Sequence, residues 1–213
     1  MTQLRGAHAV VTGGSSGIGL ATAAELAARG ASVSLIARGT DRLDAAARQL
    51  REAGASVRTA TADVSDQASV EGALRRLTEE AGAPDVLVTS AGQARPGHFL
   101  ELDDEVFRRM MEVDYFGTLY PVRAVAPAMM ERGHGSIMVV SSAAGLLGIY
   151  GYTAYSPAKS RCAVSSRRCA TNCGRAGSTP DVSIRPMWIR RNWPRRTGGS
   201  PRRRRRSVAP SSR

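Results

Sequence analysis

Cysteine is absent from the first 161 residues of this 213-residue chain; Cys162, Cys169 and Cys173 crowd into one short stretch. An odd number of thiols so placed excludes a disulfide framework. Their spacing, with no histidine after them, matches no closed zinc set, so no metal is expected. Lysine is scarcer still, since Lys159 is the only one in the chain. No apolar run reaches the ~18 residues of a membrane-spanning helix. The N-terminus enters an apolar stretch at His8 without a signal-type core, which makes the cytoplasm the default expectation. The length suits one domain with a full core and is short for two.

Acidic residues are nearly absent from the last quarter, and this divides the charge. Residues 1–159 carry 15 Lys+Arg against 17 Asp+Glu, whereas residues 160–213 carry 15 arginines against the single acid Asp181. The formal charge of +12 therefore belongs wholly to the tail. Nucleic-acid binding, the first inference from such a charge, applies only to residues 160–213 and has no support in residues 1–159.

Residues 1–159 alternate strand and helix signals. Strands are predicted at 8–12, 32–36, 57–62, 85–89 and 135–141. Helices are predicted at 17–29, 41–53, 69–80 and 107–130, the last bent near Gly117 and Pro121. Gly54 stands where a helix C-cap belongs. This order specifies an α/β fold, a doubly wound, Rossmann-like parallel sheet covered on both faces, with ligands at the carboxyl ends of its strands.

Thr12-Gly13-Gly14-Ser15-Ser16-Gly17-Ile18-Gly19 joins the first strand to the first helix. Glycines allow a tight turn and close backbone approach to a pyrophosphate, and the helix N-terminus offers amide donors to that anion. Gly13, Ser15, Ser16, Gly17, Ile18 and Gly19 are accordingly candidate cofactor contacts. An acidic residue at the end of the second strand would bind the ribose 2′-hydroxyl of NAD. This chain has Arg38 there instead, with Arg42 one helical turn on. A planar cation suits a 2′-phosphate, so NADPH (NADP) is the expected cofactor. The plainer alternative is that Arg38 is a solvated loop charge.

Tyr155 and Lys159 form Y-x-x-x-K, which a helix presents on one face. A free phenol ionises near pH ~10, and an adjacent ammonium favours its phenolate, suiting it to proton transfer at lower pH. Ser141 and Ser142 end the fifth strand, 14 and 13 residues before Tyr155. Either hydroxyl can hydrogen-bond a substrate carbonyl.

These motifs, in this order, resemble the short-chain dehydrogenase/reductase family. Residues 10–19, Leu-Ile-Ala-Arg (35–38), Tyr-Phe-Gly-Thr-Leu-Tyr-Pro-Val-Arg-Ala-Val (115–125) and 140–159 look like its 3-ketodihydrosphingosine reductase branch. The resemblance covers residues 6–159. It implies NADPH-dependent reduction of a ketone to a secondary alcohol, with the 3-keto group of a long-chain sphingoid base as the sphingolipid-type substrate. It also favours Ser142 over Ser141. It places Asp63 against the adenine ring, with Val64 beside it, and Ser90-Ala91-Gly92 at the nicotinamide ribose, where Ser90 replaces the usual Asn. Tyr155 and Lys159 would also touch the cofactor. Asp114 stands where the family carries an Asn that supports a proton-relaying water. The small-molecule ketone is thus the expected partner, no specific nucleic acid is expected, and a homo-oligomer is usual for the family.

Beyond Lys159 the resemblance implies an amphipathic helix, a sixth strand, a substrate loop and a closing strand. Residues 160–213 instead lack Leu, Phe, Glu and Lys, show no apolar periodicity, and contain a run of five arginines, Arg202–Arg206. One reading is a disordered basic arm. Another is a GC-rich gene read out of frame: plausible codons for residues 160–174, read one base earlier, give F-A-V-R-G-L-V-E-T-L-R-D-E-L-R, an amphipathic helix. Residues 1–159 are therefore expected to form the reductase domain and 160–213 an aberrant tail, leaving the helix face uncovered and the chain poorly folded or inactive. A non-catalytic nucleotide-binding remnant and a basic-tail nucleic-acid binder are the competing readings.

Overall fold

The computed structural model describes residues 3–173 and 181–189, with side chains through residue 165. Five strands follow the predicted order: β1 (His8–Thr12), β2 (Ser32–Ala37), β3 (Val57–Thr61), β4 (Val86–Thr89) and β5 (His134–Ser142). Between them lie α1 (Gly17–Ala28), α2 (Thr40–Glu52), α3 (Gln67–Ala81), α4 (Asp104–Met110) and α5 (Gly117–Arg132). The sheet continues into β6 (Asp181–Ile189), after α6 (Tyr155–Cys173). All neighbours pair in parallel, in the order β3-β2-β1-β4-β5-β6. The order reverses between β1 and β4, the switch point where such sheets open a crevice at their carboxyl ends.

Strand alternation sends side chains to two separate cores. Val10, Ile36, Leu87, Ile137 and Val139 pack with Leu74 and Leu77 of α3 and with Val125 and Met129 of α5. Ala9, Val11, Val33, Leu35 and Val88 pack on the other face with Ala23 of α1 and with Leu43, Ala47 and Leu50 of α2. Both faces are dry, so the strands read as apolar runs rather than alternating ones. Asp66 caps α3, its carboxylate accepting from the amides of Ala68 and Ser69.

Two stretches differ from the sequence expectation. The long helix predicted at 107–130 is three pieces, α4 and α5 being joined by a π-helical stretch, Met111–Phe116. The irregularity directly precedes Gly117, and Pro121 lies inside α5, where its missing amide leaves the turn before it without one helical hydrogen bond. The wider turn holds Asp114 inward, fully buried. Second, the boundary expected at residue 159 falls inside α6. Cys162 and Ala163 are buried there, Cys162 in the same core as Met129, so the helix face expected to be uncovered is occupied this far. Small side chains suffice for that contact, which is why no large apolar period marks it in the sequence. The backbone of β6 pairs with β5 from His134 opposite Asp181 to Ser142 opposite Ile189. The arginine run 202–206 and residues 174–180 and 190–213, where the aberrant or disordered tail was expected, lie outside the described residues.

Candidate active site

The glycine-rich turn is built by backbone contact. Gly13 has φ +70°, and a Cβ there would lie 2.6 Å from the amide nitrogen of Ala91, so this crossing of the β1 and β4 turns admits only glycine. A Cβ on Gly19 would collide with the carbonyl of Gly13. The Gly13 amide donates to the carbonyl of Ile36 at 2.8 Å, tying the turn to β2. Ser16 is the N-cap of α1, but its side chain makes no cap hydrogen bond. The first-turn amides are thus left to an external acceptor, as a phosphate would be.

An open groove of about 730 Å³ runs over this turn. Gly13, Ser15, Ser16, Gly17 and Ile18 line its floor, Arg38 and Arg42 one end, and Val64, Ala91 and Gly92 its far wall. Those sequence candidates are brought together. Gly19 lies beneath, as a packing requirement. Asp63 stands beside the groove and is held there: its carboxylate accepts from the Ser65 amide at 2.9 Å and the Ser65 hydroxyl at 2.7 Å. It also pairs with Arg109 at 3.5 Å and Arg38 at 4.0 Å. Burial by itself would push the Asp63 carboxyl up, but the Ser65 hydrogen bonds and the two guanidinium charges outweigh it and hold it below the ordinary range. Arg109 was not foreseen. It reaches Asp63 across 46 residues of sequence, and no local signal marks that pairing.

At the inner end a small cavity of about 30 Å³, roomy enough for a water molecule, is lined by Ser90, Gln93, Asp114, Ser141, Tyr155 and Lys159 among others. Tyr155 opens α6 and Lys159 follows one turn on, its ammonium 5.8 Å from the phenol ring centre. Lys159 Nζ lies 3.0 Å from Asp114 Oδ1, and both residues are buried, at 5% and 0% exposure. Burial would lower the lysine's pKa; the charge of Asp114, with lesser help from Tyr155, more than offsets it and holds the ammonium above its ordinary value. Asp114 Oδ1 also accepts from the Gln93 amide at 3.2 Å, a residue the sequence reading missed because its backbone, not its side chain, makes that contact. Gly92 makes room for the pair: a Cβ there would lie 2.6 Å from Asp114 Oδ1.

The serines separate. Ser141 is buried and donates its hydroxyl to the Lys159 carbonyl at 3.1 Å, so it braces α6. Ser142 is half-buried, and its oxygen accepts from the Ala144 amide at 3.2 Å, which leaves its proton to donate elsewhere. Among the described residues no helix is long and apolar enough to cross a membrane.

A doubly wound parallel sheet with a glycine turn, a groove across its switch point and a Tyr–Lys pair at the inner end defines a dinucleotide-binding oxidoreductase class. The chain belongs to the short chain dehydrogenase family, whose family model matches residues 7–177. It is 44% identical over 162 residues to 3-dehydrosphinganine reductase of Danio rerio, covering 74% of this chain and 49% of that protein. It is 43% identical over 161 residues to 3-ketodihydrosphingosine reductase of Bos taurus, covering 73% of this chain and 48% of that one. The chain thus spans about half the length of these curated relatives. Among solved structures, an actinorhodin polyketide ketoreductase variant with NADPH superposes with a TM-score of 0.81 at 31% identity, over 87% of this chain and 70% of that one.

Proposed function

We propose that this chain reduces a ketone to a secondary alcohol with NADPH, and that the ketone is the 3-keto group of a long-chain sphingoid base. The observation that carries the reading is the pairing of Tyr155 with Lys159 at a small cavity beside a groove that Arg38 lines. The names of the relatives support the substrate class, and the glycine cradle and open α1 amides fit a dinucleotide.

A nicotinamide cofactor held by the glycine turn would supply the hydride that the carbonyl carbon takes up. The chain's own residues do the rest. The Ser142 hydroxyl donates a hydrogen bond to the carbonyl oxygen, fixing its position. The Tyr155 hydroxyl passes its proton to that oxygen as negative charge builds there. Lys159 keeps a positive charge beside the phenol so that the anion left behind is stabilised, and Asp114 fixes the ammonium in place. Ser141 holds α6, and so Tyr155, at the right height. Arg38 and Arg42 would hold the 2′-phosphate, and Asp63 and Val64 would flank the adenine end. We place the protein in the cytoplasm, in keeping with the absence of a membrane-crossing helix among the described residues.

Fluorescence titration tests the cofactor first: NADPH is expected to bind at least about tenfold more tightly than NADH, and equal affinity would overturn the preference. Consumption of NADPH with 3-ketodihydrosphingosine then tests the reaction. The second reading, a nucleotide-binding remnant without turnover, is favoured by Asp114 standing in the place of an amide and is the outcome if cofactor binds and no ketone is reduced. We further propose that residues 160–213 are an aberrant stretch read from a displaced frame, supported by their lack of Leu, Phe, Glu and Lys. Resequencing the coding DNA near codon 160 decides it, and an intact frame there overturns it.

A further inference from the structure

We infer that two surface loops, residues 97–102 and 146–152, form the seat of the substrate's hydrocarbon chain, an inference that rests on the reading of the protein as a ketone reductase. Between them these loops expose six large apolar side chains. Leu100 is 92% exposed, Tyr150 85%, Phe99 67% and Leu147 65%, with Leu146 and Ile149 exposed beside them. Exposed apolar side chains are ordinary one at a time; a cluster of this kind on two neighbouring loops marks a binding surface.

The loops are fastened to each other. The Gly97 amide donates to the Gly151 carbonyl at 2.9 Å and the Thr153 hydroxyl to the Gly97 carbonyl at 3.2 Å. The rings of His98 and Tyr150 meet edge-on at 5.0 Å. Phe99 stands on Phe107 of α4 at 5.8 Å. Gly97 itself permits the fit, since a Cβ there would strike Leu102.

The surface leads to the catalytic group. Under it lies a third apolar cluster in which Tyr155 packs with Ala144, Ala154 and Ala158, flanked by Leu102, Phe107 and Tyr152. The Tyr152 and Tyr155 rings are 5.5 Å apart. The 146–152 loop follows the strand that carries Ser142 after one short 3-10 turn, Ala143–Gly145. A carbonyl held at Ser142 and Tyr155 therefore has apolar surface running outward from it, and an alkyl chain attached to that carbonyl has a place to lie. Charge selects this occupant over a bilayer. Glu101, Asp103, Asp104 and Glu105 flank the apolar surface, all exposed, against Arg95 and Arg108. A net acidic border repels an anionic membrane and is indifferent to a hydrocarbon chain.

The test is calorimetric titration of the full chain, with and without NADPH, using methyl ketones lengthened one methylene at a time. Affinity is expected to rise about fourfold per methylene. In the double variant Leu100→Ser/Leu147→Ser the rise is expected to fall below about twofold per methylene, and Arg75→Ser on α3 is expected to keep it. Both lip residues are exposed, so loss of folding does not confuse the result; circular dichroism of the variant verifies this. A slope that is flat in the parent, or unchanged in the double variant, overturns the inference. So does binding to phosphatidylcholine vesicles that the double variant loses while the ketone slope stays. Failure to bind NADPH with the slope present overturns the reductase reading and leaves the alkyl seat standing; NADPH binding with a flat slope does the reverse.

Discussion

Replacing Asp114 with Asn removes the carboxylate that faces the Lys159 ammonium at 3.0 Å, with both groups buried. Taking two charges out of water costs about as much as their attraction returns, so the pair adds little net stability. Removing one partner is different, because the other is left as a buried charge, at a cost of about 3–5 kcal/mol. Asn keeps an oxygen that can accept from the ammonium, which points to the lower end of that range. For a chain of this size each kcal/mol moves the melting temperature by about 2–4 °C, so the variant is expected to melt roughly 6–12 °C lower. The pH dependence supplies the signature. In the parent, the folded-state pKa of Lys159 lies above its ordinary 10.5, so its contribution is full below that value and is lost as pH rises through the raised one. In the variant burial dominates and the folded pKa falls below the ordinary value. Its deficit is then greatest at neutral pH and shrinks as pH climbs towards and past 10.5, where the unfolded chain's lysine also loses its proton. Urea unfolding followed by circular dichroism at both pH values measures this. Adding Lys159→Met to Asp114→Asn is expected to recover most of the loss, since neither charge then remains. A deficit under about 0.5 kcal/mol at neutral pH, or one independent of pH, would refute the reasoning.

Arg38→Ala is expected to weaken NADPH binding about 10- to 100-fold, the equivalent of one charged hydrogen bond, and to leave NADH affinity unchanged; equal losses for both cofactors would remove Arg38 from the 2′-phosphate. Gly92→Ala puts a methyl group against Asp114 and is expected to cost about 1–3 kcal/mol in urea unfolding while abolishing NADPH oxidation; wild-type stability would show that the pair moves aside. Ser142→Ala is expected to abolish turnover with cofactor affinity intact, whereas Ser141→Ala, losing the brace on Lys159, should lower stability as well; identical behaviour of the two would erase the division between them. His8 is buried and hydrogen-bonded to the Ser34 hydroxyl and the Gly82 carbonyl. Burial, outweighing the Gly82 bond, sets its pKa below the ordinary 6.5. Its contribution is whole above pH 6.5 and is lost as pH falls below it, by up to about 1.4 kcal/mol per pH unit. His8→Gln should flatten that segment of the stability profile, and a slope unaltered by it would place the titration elsewhere.

The strand–helix alternation, the glycine turn and the Tyr155–Lys159 spacing were legible because each is local: a period, a turn chemistry or one helical step encodes it. The sheet followed from the same alternation, through the handedness that crossovers impose. The place of Arg38 was legible for a similar reason: it stands at the end of β2, beside the groove it lines. What remained hidden involves contacts across long stretches of chain. Arg109 meets Asp63 only because α4 packs beside the β3 turn, and Gln93 matters through an amide that any residue possesses. The choice between Ser141 and Ser142 depended on which one faced α6, a matter of strand register. The burial of Cys162 and Ala163 was not legible either, because they fill space too small to need the large apolar residues that would show a period. Sequence by itself determined the class of fold, the glycine turn and the helical spacing of Tyr155 and Lys159. Tertiary structure alone decided which serine hydroxyl bonds the Lys159 carbonyl, which carboxylate holds the lysine, and which apolar side chains stand exposed on neighbouring loops, since these are set by packing between elements distant in sequence.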